Sequence, residues 1–306
     1  MSFICVNIHT VDKIFALVYT LFMKEKAIKG LRIIKKINKV FLWLFILLFL
    51  LMLTFTLWSI PKLQITHYTI DSEKLDGNVK LVLISDLNSS TFVENQEQLI
   101  SAIKKQSPDL ILMSGDIIDA SKDNQPVKIL LNGIKNLCPI YYIYGNHEQH
   151  WQRKPQAKAL MESYGVKVME EAYAEENING QKIHICGLRD PQDKIAPDTW
   201  QGGLKHLSDQ VEEDAYTILL SHRPTFAEYY KQTNFDLIVC GHAHGGQWRI
   251  PFINKGIFAS DEGFFPKYFE GIHDLGQPKM VISRGLAKDD LPRFNNRPEL
   301  VSITLK

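Results

Sequence analysis

The sequence predicts an α/β layered sandwich preceded by a single helix long enough to cross a membrane. Three observations predict it. Short apolar runs alternate with amphipathic stretches from residue 79 to residue 305. Five of those runs end in polar islands rich in Asp, Asn and His. Ahead of them, residues 40–60 form an apolar stretch without a single charge.

Residues 1–39 hold eight Lys or Arg against two acids and read as a basic cytoplasmic segment. Within it, residues 14–22 are apolar but too short to span; a short amphipathic segment on the inner leaflet is the alternative. Met23-Lys24-Glu25-Lys26 has the form of an ordinary start for a signal anchor, and we expect Met23 to be the initiator. Residues 40–60 then match a bilayer core of about 30 Å. A helix apolar on every face must be buried in protein or in lipid, and Trp58 suits an interfacial anchor. Lys24, Lys26, Lys29, Arg32, Lys35, Lys36 and Lys39 precede the span whereas only Lys62 follows it closely. The positive-inside rule therefore puts the amino-terminus in the cytoplasm and the remainder on the extracytoplasmic side of the cell membrane. A cleaved signal peptide is the alternative, against which stand the length of the run and the lack of a small-x-small cleavage site.

After a linker at 61–78, the domain at 79–306 is expected to place strands near 79–85, 109–114, 139–144, 181–187, 216–220, 235–240, 279–283 and 300–305. Helices are expected at 94–106, 126–136, 155–164 and 225–231, the first with Leu99, Ile100 and Ile103 on one face.

The polar islands are Asp86-Leu87-Asn88, Gly115-Asp116-Ile117-Ile118-Asp119, Gly145-Asn146-His147-Glu148, Ser221-His222-Arg223-Pro224 and Gly241-His242-Ala243-His244. Each sits where a buried strand would end, the edge at which open α/β sheets bind ligands. Carboxylates, an amide oxygen and imidazoles, with no thiolate among them, suit two borderline divalent ions such as Mn, Fe, Zn or Ni. Two cations about 3.5–4 Å apart need one bridging carboxylate, and water held between them becomes a nucleophile at neutral pH. Asp116 is the candidate bridge. Singly, a Gly-Asp turn or a His-x-His pair is commonly structural; the ordered combination is what points to a site.

That order resembles the calcineurin-like metallophosphoesterase superfamily over about residues 79–306. Gly241-His242-Ala243-His244-Gly245-Gly246-Gln247, Arg249-Ile250-Pro251, Ser283-Arg284-Gly285-Leu286 and Arg297-Pro298-Glu299 are similar to a bacterial branch of membrane-anchored or exported phosphoesterases, related to UDP-2,3-diacylglucosamine pyrophosphatases. The resemblance implies two facing sheets with helices outside, an αββα sandwich. It implies a first metal held by Asp86, Asn88, Asp116 and His244, and a second held by Asp116, Asn146, His222 and His242. His147 would contact the phosphate and protonate the leaving oxygen, and Asp119 would orient His147. Asn88 departs from the family's usual histidine, and an amide oxygen is the weaker donor to a transition metal.

The reading that follows is a metal-dependent hydrolase of phosphoester or pyrophosphate bonds in phosphorylated small molecules or lipids. Its competitor is a membrane-tethered, non-catalytic phosphate-ligand binder with a degraded first site at Asn88. Arg223, Arg249, Arg284, Arg293 and Arg297 are available to line a substrate groove. The total charge of +1 leaves −5 beyond residue 39, which argues against a nucleic-acid partner. Cys5, Cys138, Cys186 and Cys240 lack zinc-finger spacing and read as small apolar residues.

Overall fold

The computed structural model describes residues 8–58, 62–92, 94–119, 121–149, 154–191, 197–250, 253, 255–287 and 293–306. The chain divides into two units, Met1–Trp58 and Ser59–Lys306. The first is a helix, α1 (Ile8–Trp58). Its segment Ile34–Thr54 has a mean hydropathy of 2.3 and is unburied. Among the described residues, α1 is the one helix long and apolar enough to cross a membrane. The last positions of the expected span, Ser59 and Ile60, lie outside the described residues.

In chain order the second unit contains β1 (Gln64–Ile70), β2 (Val79–Ile84), α2 (Glu97–Gln106), β3 (Leu110–Met113), α3 (Gln125–Ile134), β4 (Ile140–Tyr142), α4 (Lys154–Ser163) and β5 (Lys167–Val168). It continues with β6 (Ala172–Ile178), β7 (Gln181–Gly187), α5 (Pro197–Asp209), β8 (Tyr216–Leu220), α6 (Ala227–Tyr230) and β9 (Leu237–Cys240). The short strands β10 (Arg249–Ile250) with β11 (Lys255–Gly256), and β12 (Phe258–Ala259) with β13 (Gly263–Phe264), form antiparallel pairs. Last come β14 (Gly271–Asp274), β15 (Lys279–Ile282) and β16 (Glu299–Leu305).

Among the described residues these strands build two six-stranded sheets, ordered β1-β16-β2-β3-β4-β5 and β14-β15-β9-β8-β7-β6. The central strands β2, β3 and β4 run parallel, as do β7, β8, β9 and β15. Parallel strands covered on both faces must be apolar throughout, and β3, β8 and β9 are buried at every position. Alternation then sorts the side chains into layers. Leu81, Leu83, Leu110, Leu112 and Tyr141 of one sheet meet Ile183, Ile185, Ile218, Leu220 and Val239 of the other. Val82, Ile84, Ile111 and Met113 turn outward onto Leu99, Ile103, Leu130, Leu131 and Ile134 of α2 and α3. Across the molecule, Cys186, Leu219, Ile238, Cys240 and Met280 pack under Trp200, Leu204 and Leu207 of α5. The result is helices, sheet, sheet, helices. Cys186 and Cys240 are buried free thiols and Cys138 is a half-buried one; Cys5 lies outside the described residues.

Three expectations need correction. The stretch read as a linker, 61–78, contains β1, which pairs in parallel with all of β16 from Gln64↔Glu299 to Ile70↔Leu305. Its alternating polar residues belong to a sheet edge that buries one side. The edge strand β6 escaped notice for the same reason, since its Glu and Tyr side chains alternate with half-buried Ala. Helix α5 was hidden by Gly202-Gly203 at its centre, each glycine costing about 1 kcal/mol in a helix interior relative to alanine. It forms because Trp200 buries against Phe226, centroids 4.4 Å apart, and donates its indole N–H to the Arg189 carbonyl at 3.0 Å.

If β1 is integral, a chain that starts at Val79 should lose stability to heat and protease relative to one that starts at Lys62. Equal melting temperatures for the two would contradict the assignment of β1 to the sheet.

Candidate metal centre

The polar islands follow the carboxyl ends of β2, β3, β4, β8 and β9, where the two sheets come together. Backbone bonds fasten the loops in pairs. The N–H of Asp86 donates to Gly115 O at 3.0 Å, that of Asn88 to Asp116 O at 2.9 Å, and that of Gly241 to His222 O at 3.0 Å. Bonds also cross between the sheets, among them His222 Nδ1 to Ser114 O at 2.7 Å and the His242 N–H to Asp86 Oδ1 at 3.0 Å. Asp86, Asn88, Asp116, His242 and His244 all hold φ between 47° and 64°. Left-handed backbone costs roughly 1–2 kcal/mol per non-glycine residue, and its concentration here marks a site whose geometry the rest of the fold enforces. Close approach also demands glycine, since a Cβ on Gly145 would lie 2.1 Å from Asp116 Oδ1 and one on Gly241 1.8 Å from Ser85 Oγ.

The arrangement brings acceptors together. His222 is fully buried and donates its Nδ1 proton to Ser114 O, so Nε2 is the nitrogen that faces the site. That Nε2 lies 3.2 Å from Asp116 Oδ2, 3.2 Å from Asn146 Oδ1 and 3.2 Å from His242 Nδ1. His242 turns its other nitrogen, Nε2, to Asp261 Oδ2 at 3.0 Å, and its Nδ1 faces the same point as His222 Nε2. Asp116, His222 and His242 thus offer ligand atoms within 4.8 Å of one another. Together these groups favour a positive charge at that point. The same demand shows in the protonation of the chain alone. Burial disfavours charge on His222, yet the adjoining Asp116 carboxylate outweighs it and pushes the imidazole up to about 10. Burial likewise opposes ionisation of Asp116, but His222 and His147 hold that carboxyl well below the usual range.

The second cluster adjoins the first. Asp86 Oδ1 lies 3.5 Å from His244 Nε2, and Asp86 Oδ2 accepts the Ser85 hydroxyl at 2.6 Å. Asn88 is buried, and among the described residues its Oδ1 has no protein partner, which suits it to coordinate a cation. The chemistry of both sets suits divalent ions.

The sequence profile of calcineurin-like phosphoesterases matches residues 79–246. The chain belongs to that family. Calcineurin-like phosphoesterases use divalent metal ions, in keeping with these clusters. It is similar to the uncharacterised metallophosphoesterase YkuE of Bacillus subtilis, 32% identical over 255 residues, 80% of this chain and 86% of that protein. It is also similar to the phosphodiesterase YaeI of Escherichia coli, 26% identical over 232 residues, 74% of this chain and 82% of that one. Among solved structures, TT1561 of Thermus thermophilus superposes with a TM-score of 0.46 at 13% identity, covering 67% of this chain and 89% of that one.

In this calcineurin-like phosphoesterase the His147 ring lies beside the clusters, half-exposed, with Nε2 3.9 Å from Asp116 Oδ2; its backbone N–H donates to Asp116 Oδ1 at 2.9 Å. Asp119 does not do what the resemblance implied. Its carboxylate accepts the Ser121 hydroxyl at 2.6 Å and pairs with Lys122 at 3.2 Å, and among the described residues it makes no bond to His147. Two neighbours within three residues capture a short side chain before a ring across the cleft can. Four of the five arginines expected to line a groove are likewise engaged. Arg223 clamps Asp190 and Asp261, Arg249 pairs with Glu270, Arg284 pairs with Glu299 at 3.0 Å, and Arg293 donates to Arg284 O at 2.7 Å. Lys122 lines the cleft together with Asn88, Asp119, His147 and His244.

Sequence reasoning assigned no role to Glu148 or Asp261. Buried Glu148 accepts three backbone N–H groups, from Asp116 at 3.0 Å, Ile118 at 2.8 Å and Gly145 at 2.9 Å. Burial and the neighbouring Asp116 push its carboxyl up to about 8, against the pull of those amides. Glu148 closes the Gly-Asn-His-Glu island, which was its one visible signal. Asp261 had none, since Ser260-Asp261-Glu262-Gly263 reads as an ordinary turn.

Glu148→Ala should strand three buried amides at about 1–3 kcal/mol each, lowering stability in denaturant titration. Asp261→Asn should weaken metal affinity about 10–100-fold in chelator competition, the usual effect of losing the partner that aims a coordinating histidine. Unchanged affinity in Asp261→Asn would contradict its role in aiming His242.

Proposed function

We propose that this chain is a membrane-anchored, two-metal hydrolase of phosphoester or pyrophosphate bonds, acting on lipid-linked or cell-envelope substrates outside the cytoplasm. The observation that carries the hydrolase reading is the convergence of Asp116, Asn146, His222 and His242 on one point beside the Asp86–His244 pair. The anchor rests on the apolar length of α1 and the basic residues before it.

Asp86, Asn88, Asp116 and His244 would hold one ion, and Asp116, Asn146, His222 and His242 the other, from among Mn, Fe, Zn and Ni. When bound, such ions supply Lewis acidity to the phosphoryl group and lower the pKa of water. The protein supplies position and protons. Glu148 and Gly145 fix the Asp116 loop, and the Asp116 bond to the His147 backbone sets that ring at the cleft. His147 Nε2 is the group placed to protonate the leaving oxygen. Lys122 contributes a positive charge for phosphate oxygens, and Asp119 and Asn88 O hold its ammonium at 3.2 Å and 3.5 Å. Asn88 makes the first ion the more loosely held of the two.

Hydrolysis of bis(p-nitrophenyl) phosphate alongside metal analysis tests the division of roles. Asp116→Asn should lose metal and activity together. His147→Ala should keep its metal and lose about 10²–10⁴-fold in rate. Metal-loaded wild-type protein that hydrolyses no phosphoester would favour the non-catalytic binder.

A further inference from the structure

At the hairpin made by β12 and β13, Asp261 and Glu262 bond back to the domain while Phe264 is turned out. Asp261 at its turn reaches Arg223 at 2.7 Å and His242 at 3.0 Å. Glu262 accepts the N–H of Lys267 at 2.7 Å and of Tyr268 at 3.2 Å. Phe264 and Phe265, by contrast, are 72% and 64% exposed, with Phe258 and Ile253 exposed nearby. Phe258 and Phe264 stack edge to face, centroids 5.6 Å apart. Phe265 holds φ at 59°, an outlier for a bulky residue, and packs outward all the same. Exposed Lys255 and Lys267 bracket the aromatic residues in the chain.

Strand β12 and the turn after it border the metal centre, since Phe258, Ala259 and Ser260 line the cleft, with the exposed Phe264 beside Phe258 at its rim. Aromatic rings between lysines suit the headgroup level of an anionic bilayer, where rings bury at the acyl boundary and ammonium groups meet lipid phosphate. We propose that the hairpin spanning Phe258–Phe264, with Phe265, docks into an anionic lipid surface and presents lipid phosphates to the cleft. This deepens the reading of a membrane-anchored phosphoesterase and rests on it. The chain carries a helix of membrane-spanning length, which supplies the bilayer as the occupant.

The test uses the full chain in nanodiscs of phosphatidylcholine and phosphatidylglycerol, with Cys5 and Cys138 replaced by Ser. An NBD fluorophore is placed at Phe264→Cys, at Leu47→Cys in α1, or at Asp214→Cys on the domain surface. The label at 264 should shift to the blue and lose most of its emission to doxyl-labelled lipid, as the label at 47 does, while that at 214 stays aqueous. An aqueous label at 264 beside a quenched label at 47 overturns the proposal and leaves the anchor intact. A blue-shifted but unquenched label at 264 assigns the hairpin to a protein contact and also overturns it. An unquenched label at 47 removes the anchor, and the proposal with it. As a second readout, Phe264→Ser/Phe265→Ser should lower hydrolysis of phosphatidylglycerol-borne phosphodiester at limiting lipid roughly tenfold, with the rate on soluble bis(p-nitrophenyl) phosphate preserved. An equal fall on both substrates would overturn the proposal.

Discussion

Everything in the catalytic unit answers to the meeting of Asp116 with His222. These two side chains come from different sheets, and their 3.2 Å contact is the point at which the sandwich halves are tied at the carboxyl edge. The tie is oriented from behind by Ser114 O on His222 Nδ1 and by Glu148 on the Asp116 amide. A proton between them satisfies the pair in the chain alone. Asn146 Oδ1 and His242 Nδ1 face the same point, and a divalent ion placed there would be met by all four groups.

The cost of this convergence is spread through the surrounding loops. Five ligand candidates adopt left-handed backbone, and Gly145 and Gly241 admit neighbouring side chains where no Cβ fits. Such strain persists only if the packing on either side over-determines the loops. The apolar layers do so, because β2, β3, β8 and β9 are sealed between the inter-sheet core and the outer helices. The loops therefore begin from rigid strand ends and have little room to relax.

Much of this was legible in sequence, and the physics says which part. Strands buried on both faces announce themselves as apolar runs, so β7 and β8 were placed residue for residue. Their polar ends named Asp86, Asp116, His222, His242 and His244, which the structure gathers at one edge. Elements stabilised by one face alone, β1 and β6, carry a diluted pattern, and α5 forms against its own glycines through Trp200. Within the site, local capture defeated inference from a motif. Asp119 turns to Ser121 and Lys122, and four of the arginines turn to buried carboxylates or carbonyls. Asp261 reaches His242 through tertiary contact that no spacing rule could reveal.

The central claim is that the acceptors around Asp116 and His222 are built for a cation, and thermal unfolding of metal-stripped protein titrated with Mn²⁺ tests it most directly. Ion at 100-fold over its dissociation constant should add about 2.7 kcal/mol to the folded state, raising the melting temperature, and His222→Ala should abolish that rise. A melting temperature indifferent to Mn²⁺, Zn²⁺, Fe²⁺ and Ni²⁺ alike would contradict the account.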